Sequence, residues 1–247
     1  MPVPLGVRRA AAEALGTFFL VLIGPGAATV NSHTGGQLGP VGIALAFAFV
    51  VIAMVHAIGH LSGAHINPAV TLGFWSVGKF PAKQVVPYLL AQGTGAVAAA
   101  FSLHTIFGSA AKYGATLPAV STASAFTLEW LLSFALMLVI MAVATDQRAA
   151  DGFAAMAVGL TVGFCALMGG PITGASMNPA RSFGPAVAEG LWRSHWIYWL
   201  APVTAMMAAA RTYEFLRAAT PPPLPGDTVL GIQGPVSSPA EAAPEKP

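Results

Sequence analysis

The tripeptide Asn-Pro-Ala occurs twice, at Asn67-Pro68-Ala69 and Asn178-Pro179-Ala180, 111 residues apart. Each copy closes a matching phrase: Ser62-Gly63-Ala64-His65-Ile66 precedes the first, and Thr173-Gly174-Ala175-Ser176-Met177 precedes the second. A single three-residue match carries little weight. The same match in two parallel contexts implies a chain built from two related halves. Its chemistry is that of helix initiation. Asn is a favoured N-cap because its side-chain oxygen accepts from the first free backbone N–H groups. Pro suits the first helical position, where its missing N–H is not needed. Both copies therefore predict short helices of about ten residues beginning at Asn67 and Asn178, too short to cross a bilayer, which takes about 20.

The setting of these helices is a chain of 247 residues, 55% hydrophobic and only 8% charged, with a mean hydropathy of +0.70. Soluble domains carry about 25% charged residues, and a soluble chain this poor in charge would expose large apolar patches. The composition predicts an integral membrane protein. A net charge of +2 says little about partners, and with no basic cluster no nucleic-acid partner is expected. The single cysteine, Cys165, excludes an intrachain disulfide and a cysteine-built metal site. No cofactor or metal site is expected. Arg8 and Arg9 followed by an apolar stretch imitate a signal peptide, but the stretch runs too long and its counterpart recurs without a cleavage context.

Six stretches have the length and apolarity of a span: residues 10–30, 39–59, 84–107, 124–145, 152–170 and 195–216. The two short helices then begin at mid-membrane depth, where irregular backbone is tolerable only inside protein or along a water-filled cavity. The expected fold class is an all-α membrane protein of six transmembrane helices and two re-entrant half-helices. Glu13 and Glu129 open equivalent helices, 54 and 49 residues before Asn67 and Asn178. Three spans per half is an odd number, so the halves insert in opposite directions, an inverted repeat with its site at the half-helix N-termini. The repeats cover about residues 8–112 and 120–218 of a channel domain at 1–218. Arg8, Arg9, Lys79, Lys83, Arg148, Arg211 and Arg217 fall on one side, Lys112 and Arg193 on the other. The positive-inside rule makes the first side, with both termini, cytoplasmic. Residues 219–247 start near Pro221-Pro222-Pro223 and read as a Pro-rich disordered tail.

These residues resemble the aquaporin, or major intrinsic protein, family over about residues 8–216. The resemblance rests on both Asn-Pro-Ala copies, on Arg181 directly after the second, on the paired Glu13 and Glu129, and on the six-span layout. It implies a passive channel for water and small neutral solutes that excludes ions and protons, assembled as a homotetramer in the lipid bilayer of a cell membrane. The short loops and Ala-rich composition point to a bacterial inner membrane. It also implies that the amides of Asn67 and Asn178 donate to a passing solute. Arg181 would stand at the outer constriction as donor and cation barrier. Phe47, Ala166 and Ala175 would complete that selectivity filter, and Glu13 and Glu129 would support the re-entrant loops.

The filter positions depart from the strict water-channel pattern, which usually has a histidine where this chain has Ala166. With Ala175 also small, the filter should be wider and less polar. Ser182, Ala186, Tyr198 and Trp199 instead resemble the water-channel pattern, whereas glycerol-conducting relatives tend to have Asp after the arginine. Gly24-Pro25-Gly26-Ala27 and Gly170-Pro171 resemble the nodulin-type branch, whose members can pass glycerol and undissociated metalloid acids such as arsenite. The expectation is water together with small neutral solutes, the alternative a channel mainly for glycerol or metalloid acids.

His65 is expected at the cytoplasmic pore mouth, as a pH-responsive group or a plain hydrogen-bonded histidine. His60 reads as structural. Gly42, Gly59, Gly93, Gly95, Gly159 and Gly163 would permit close helix crossings in lipid. An intramembrane hydrolase would need a nucleophile elbow around Ser176, which is lacking. A secondary transporter would need a titratable group at midplane, and the two acids are expected in the loops instead. A non-conducting scaffold would have no use for the pore residues.

Overall fold

In a computed structural model, residues 3–108, 113–149 and 152–219 are described. The described residues form eight α-helices: α1 (Leu5–His33), α2 (Gly39–Ser62), α3 (Pro68–Ser76), α4 (Ala82–Phe107), α5 (Thr122–Thr145), α6 (Ala154–Thr173), α7 (Pro179–Glu189) and α8 (Ile197–Ala219). Five of them, α1, α2, α4, α5 and α6, are long and apolar enough to cross a membrane. α8 has 23 residues but carries Arg211, Glu214 and Arg217 toward its C-terminal end. A helix of that size is about 35 Å long at 1.5 Å per residue, enough to span. α3 and α7, with 9 and 11 residues, are the two half-length helices.

Each long helix runs past its apolar stretch at one end or both, although α6 and α8 begin two residues after theirs. α1 begins at Leu5 rather than near residue 10, because apolarity marks only the part in hydrocarbon while the hydrogen-bonded helix continues past it. Glu13 and Glu129 therefore do not open their helices; they lie 8 and 7 residues after the first residue of α1 and α5. Ala219 still belongs to α8. The remainder of the expected tail, and Lys112, lie outside the described residues.

The packing repeats with the halves exchanged. α1 packs on α4 and α2; α5 packs on α8 and α6. α3 lies on α8 and α7 lies on α4, so each half-helix is cradled by the last helix of the other half. α2 meets α6, and α3 meets α7, across the relation that exchanges the halves. Lipid offers no hydrophobic drive between helices, so close backbone approach supplies the attraction. A Cβ at Gly95 of α4 would overlap the Ala14 carbonyl of α1. At Gly159 of α6 it would come within 2.7 Å of the Ala48 carbonyl oxygen of α2, and Gly163 abuts the Ala48 Cβ at 3.0 Å. Gly42, Gly59 and Gly93 are different: the first two face only neighbours in sequence, and nothing lies within 4 Å of the third. Those three make no helix crossing within the subunit. Leu15, Phe49, Leu90, Leu131 and Phe164 point outward, each at least half exposed, as a lipid-facing surface requires.

Polar ties close the end of the bundle where α5 stops. Asp146 accepts from Arg148 (Nε 2.9 Å, Nη2 2.6 Å) and from the Tyr213 hydroxyl of α8 at 3.0 Å. These donors, Arg148 above all, hold the Asp146 carboxyl well below its usual range. Arg217 donates to the Thr145 carbonyl and to Glu214, which also pairs with Lys79 at 3.2 Å. The loop after α3 is thereby joined to α8.

Candidate pore and its constriction

The N-termini of α3 and α7 meet inside the bundle. Asn67 is extended (φ −158°, ψ 118°), and its Oδ1 accepts from Ala69 N at 2.9 Å. Asn178 is likewise extended, and its Oδ1 accepts from Ala180 N at 3.0 Å and Arg181 N at 3.3 Å. The amide nitrogens cross over. Asn67 Nδ2 donates to the Met177 carbonyl at 2.8 Å, and Asn178 Nδ2 to the Ile66 carbonyl at 2.9 Å. Each amide caps its own helix and binds the opposing loop. Pro68 and Pro179 occupy the first helical positions, while Ala69 and Ala180 are buried N–H donors to the caps.

Both loops contain non-glycine residues in the left-handed region: Ala64 and Ile66 in the first, Ala175 and Met177 in the second. Such positions persist only where the surroundings over-determine them. Here the surroundings are two carboxylates. Glu13 accepts from the Ser62 hydroxyl (2.7 Å), His65 N (2.9 Å), Ile66 N (2.7 Å) and Gln92 Nε2 (2.8 Å). Glu129 accepts from the Thr173 hydroxyl (2.7 Å), Ser176 N (2.9 Å) and Met177 N (2.9 Å). Neither carboxylate is exposed. Tyr88 donates to the Ser62 carbonyl and Tyr198 to the Thr173 carbonyl, locking the other end of each loop.

Arg181 is buried in the first turn of α7. Its Nη1 donates to the Gly114 carbonyl at 2.7 Å, its Nη2 reaches the Gly174 carbonyl at 3.5 Å, and its guanidinium lies 5.1 Å from the Phe47 ring centroid. Its Nε is buried without a protein partner. Two cavities meet at this pair. One is lined by Asn67, Asn178, His65 and Ala175 with apolar walls that include Val55, Ile140 and Val158. The other is lined by Asn31, Pro40, Ala166 and Gly170. Phe47 and Arg181 line both.

His65 is hydrogen-bonded, with Nδ1 3.0 Å from Thr71 Oγ1, and its ring packs among Phe74, Phe80 and Tyr88. It also lines the first cavity. His60 is exposed rather than packed inside. Cys165 is buried with Sγ toward the Leu132 carbonyl and lines neither cavity. Ser182, Ala186, Tyr198 and Trp199 also stand off both cavities. Ser182 serves the loop, contacting Ser176 Oγ at 2.6 Å and accepting from Thr116 at 2.8 Å.

Two contributors escaped the sequence reading. Gly24 makes room for Phe47, since a Cβ there would lie 2.5 Å from the ring Cδ1. Gly114 supplies the carbonyl that holds Arg181. Gly24 carried a signal, the Gly-Pro-Gly run, but nothing in it named Phe47 as its neighbour.

A helical bundle with two half-helices meeting inside it, and a buried cation shared by the cavities on either side, is the architecture of a transmembrane channel. The chain belongs to the major intrinsic protein family, whose model matches residues 3–213. It is an integral membrane protein and a channel rather than an enzyme. It is 45% identical over 217 residues to Aquaporin NIP1-1 of Oryza sativa subsp. japonica, covering 87% of this chain and 76% of the relative. It is 41% identical over 217 residues to Nodulin-26 of Glycine max, covering 87% and 80%. Among solved structures, the aquaglyceroporin from Plasmodium falciparum superposes with a TM-score of 0.74 at 28% identity, covering 85% of this chain and 96% of that one.

Proposed function

We propose that the channel passes water and small uncharged solutes passively and holds back protons and ions. The observation that carries this reading is that Phe47 and Arg181 are common to both cavities. A permeant must pass an aromatic face and a fixed cation. Arg181 Nε is a buried donor awaiting an acceptor. Beyond the neck, Asn67 and Asn178 line the path, and each amide nitrogen carries two hydrogens, one of which is given to the opposing loop. The other serves a solute oxygen. Both half-helices aim their N-termini at this point, each with a partial positive charge of roughly half an elementary unit. That field and the Arg181 cation oppose positive ions, the mechanism attributed to aquaporin pores generally.

Phe47, Ala166, Ala175 and Arg181 form the selectivity filter in this reading. Ala166 lines the outer cavity beside the neck and Ala175 the inner one, and both side chains stop at Cβ. A filter so lined favours glycerol-sized solutes alongside water. A channel mainly for glycerol or undissociated metalloid acids is the second reading, favoured by the same small side chains and by likeness to an aquaglyceroporin. A coupled transporter finds little support, because Glu13 and Glu129 accept four and three hydrogen bonds from loop supports.

The reading extends to a homotetramer with one pore per subunit, both termini in the cytoplasm, His65 toward the cytoplasmic mouth, and a channel domain of residues 1–218. The two sequence relatives named above, from Oryza sativa and Glycine max, are plant proteins and give no support to a bacterial inner membrane. Stopped-flow light scattering on proteoliposomes tests the reading, with water and glycerol compared in one preparation. Fast flux of both is expected. Fast water without glycerol would overturn the wide filter, and gradient-coupled, saturable uptake would overturn the channel.

A further inference from the structure

The Arg181 guanidinium is held mainly by one acceptor, the Gly114 carbonyl. Its contact to the Gly174 carbonyl is at the limit of a hydrogen bond, and its Nε has no protein partner. Whatever fixes Gly114 therefore fixes the cation at the neck. Gly114 lies in the left-handed region (φ 67°), and its backbone is pressed so close to α1 that a Cβ would come within 2.6 Å of the Pro25 carbonyl oxygen. The residue before it, Tyr113, is also left-handed (φ 41°), a conformation that a bulky side chain adopts only when held. Tyr113 is fully buried, and its hydroxyl donates to the Gly108 carbonyl.

The same hydroxyl oxygen meets Nδ1 of His104, on the last turn of α4, with the rings edge to face at 5.4 Å. A phenol has one proton, and a carbonyl can only accept. With that proton given to Gly108, His104 Nδ1 must be the donor to the Tyr113 oxygen. A line of contacts thus runs from the exposed His104 through Tyr113 and the Gly114 backbone to Arg181. Thr116, two residues on, donates to Ser182 on α7.

We infer that His104 and Tyr113 are positioning residues for solute selection: through the Gly114 carbonyl they hold the Arg181 guanidinium at the neck. Neither touches the permeant. Releasing either lets the guanidinium withdraw, which widens the neck for glycerol more than for water. The inference rests on the filter reading of Arg181, and the experiment separates the two.

Tyr113→Phe, His104→Ala, His104→Gln and Arg181→Val are compared with the full chain in proteoliposomes, reading the glycerol-to-water permeability ratio at equal channel density. Tyr113→Phe and His104→Ala should each raise the ratio about three- to tenfold, the scale of one buried hydrogen bond. The double variant should raise it no further, because both substitutions break one chain of contacts. His104→Gln, which keeps an amide donor, should restore the parent ratio. If Arg181→Val shifts the ratio while Tyr113→Phe and His104→Ala leave it unchanged, the positioning role is wrong and the filter reading stands. If Arg181→Val leaves it unchanged, both fall. Additive effects in the double variant would also overturn the single chain. Should Tyr113→Phe fail to assemble, the exposed position His104 decides alone, by Ala against Gln.

Discussion

Asn67 and Asn178 each donate a side-chain hydrogen to the carbonyl directly preceding the other, at 2.8 and 2.9 Å. The exchange joins two half-helices from opposite halves of the chain at one point. Each amide also caps its own helix, so removing one side chain costs a cap and a buried tie together. Asn67→Ala and Asn178→Ala should each lose about 2 kcal/mol, lowering the unfolding midpoint in detergent by about 4–8 °C. The double variant should lose less than the sum, because the two share one network. Full additivity would show that the two ties act independently.

Glu13 satisfies four donors and Glu129 three. Glu13→Gln leaves one acceptor oxygen where two served, and turns an amide N–H toward other donors. A loss of about 2–3 kcal/mol is expected, with a smaller loss for Glu129→Gln. Thermal unfolding of the two variants side by side checks the order.

Arg181 is the buried cation at the neck. Arg181→Val should raise proton or small-cation leak at least about tenfold, the equivalent of about 1.4 kcal/mol of lost barrier. A pH-sensitive dye inside proteoliposomes reads the leak directly, and an unchanged barrier would remove Arg181 from its assigned role.

Ala166 lines the second cavity beside Phe47 and Arg181. A histidine there adds bulk and a polar edge at the neck. Ala166→His should cut glycerol flux about tenfold or more while sparing water. Persistent glycerol flux with reduced water flux would show that Ala166 does not face the permeant.

Asp146 ties the end of α5 to α8 through Tyr213 and also accepts from Arg148, two residues on. Its carboxyl is depressed from an ordinary value of 3.8, chiefly by the Arg148 hydrogen bond. A depressed pKa contributes stability that is complete above the unfolded value and is lost as pH falls toward the folded one. Asp146→Asn should therefore unfold about 2–4 °C below the parent at neutral pH, and the gap should narrow once pH drops below about 4. A gap that stays constant to pH 3 would show that the carboxylate charge is not what matters.

The sequence alone determined the parts that depend on local rules. Asn before Pro states a helix start whatever surrounds it, so α3 and α7 were legible to the residue. Apolar length located the spans, and their odd number per half required inversion. Glu13 and Glu129 stood out because an acid in apolar sequence needs partners. Their partners were less legible: Gln92 lies 79 residues from Glu13, and no local pattern joins them. The neck was decided by tertiary structure. Gly24 is a space for Phe47, Gly114 is a carbonyl for Arg181, and Tyr113 is an anchor for Gly114. Gly24 acts through an absent side chain and Gly114 through a backbone atom, contributions with no residue-type signature, while Tyr113 acts through a hydroxyl whose partners no motif names. They exist only once α1, α2, α4 and α7 have packed closely enough for one chain segment to touch another.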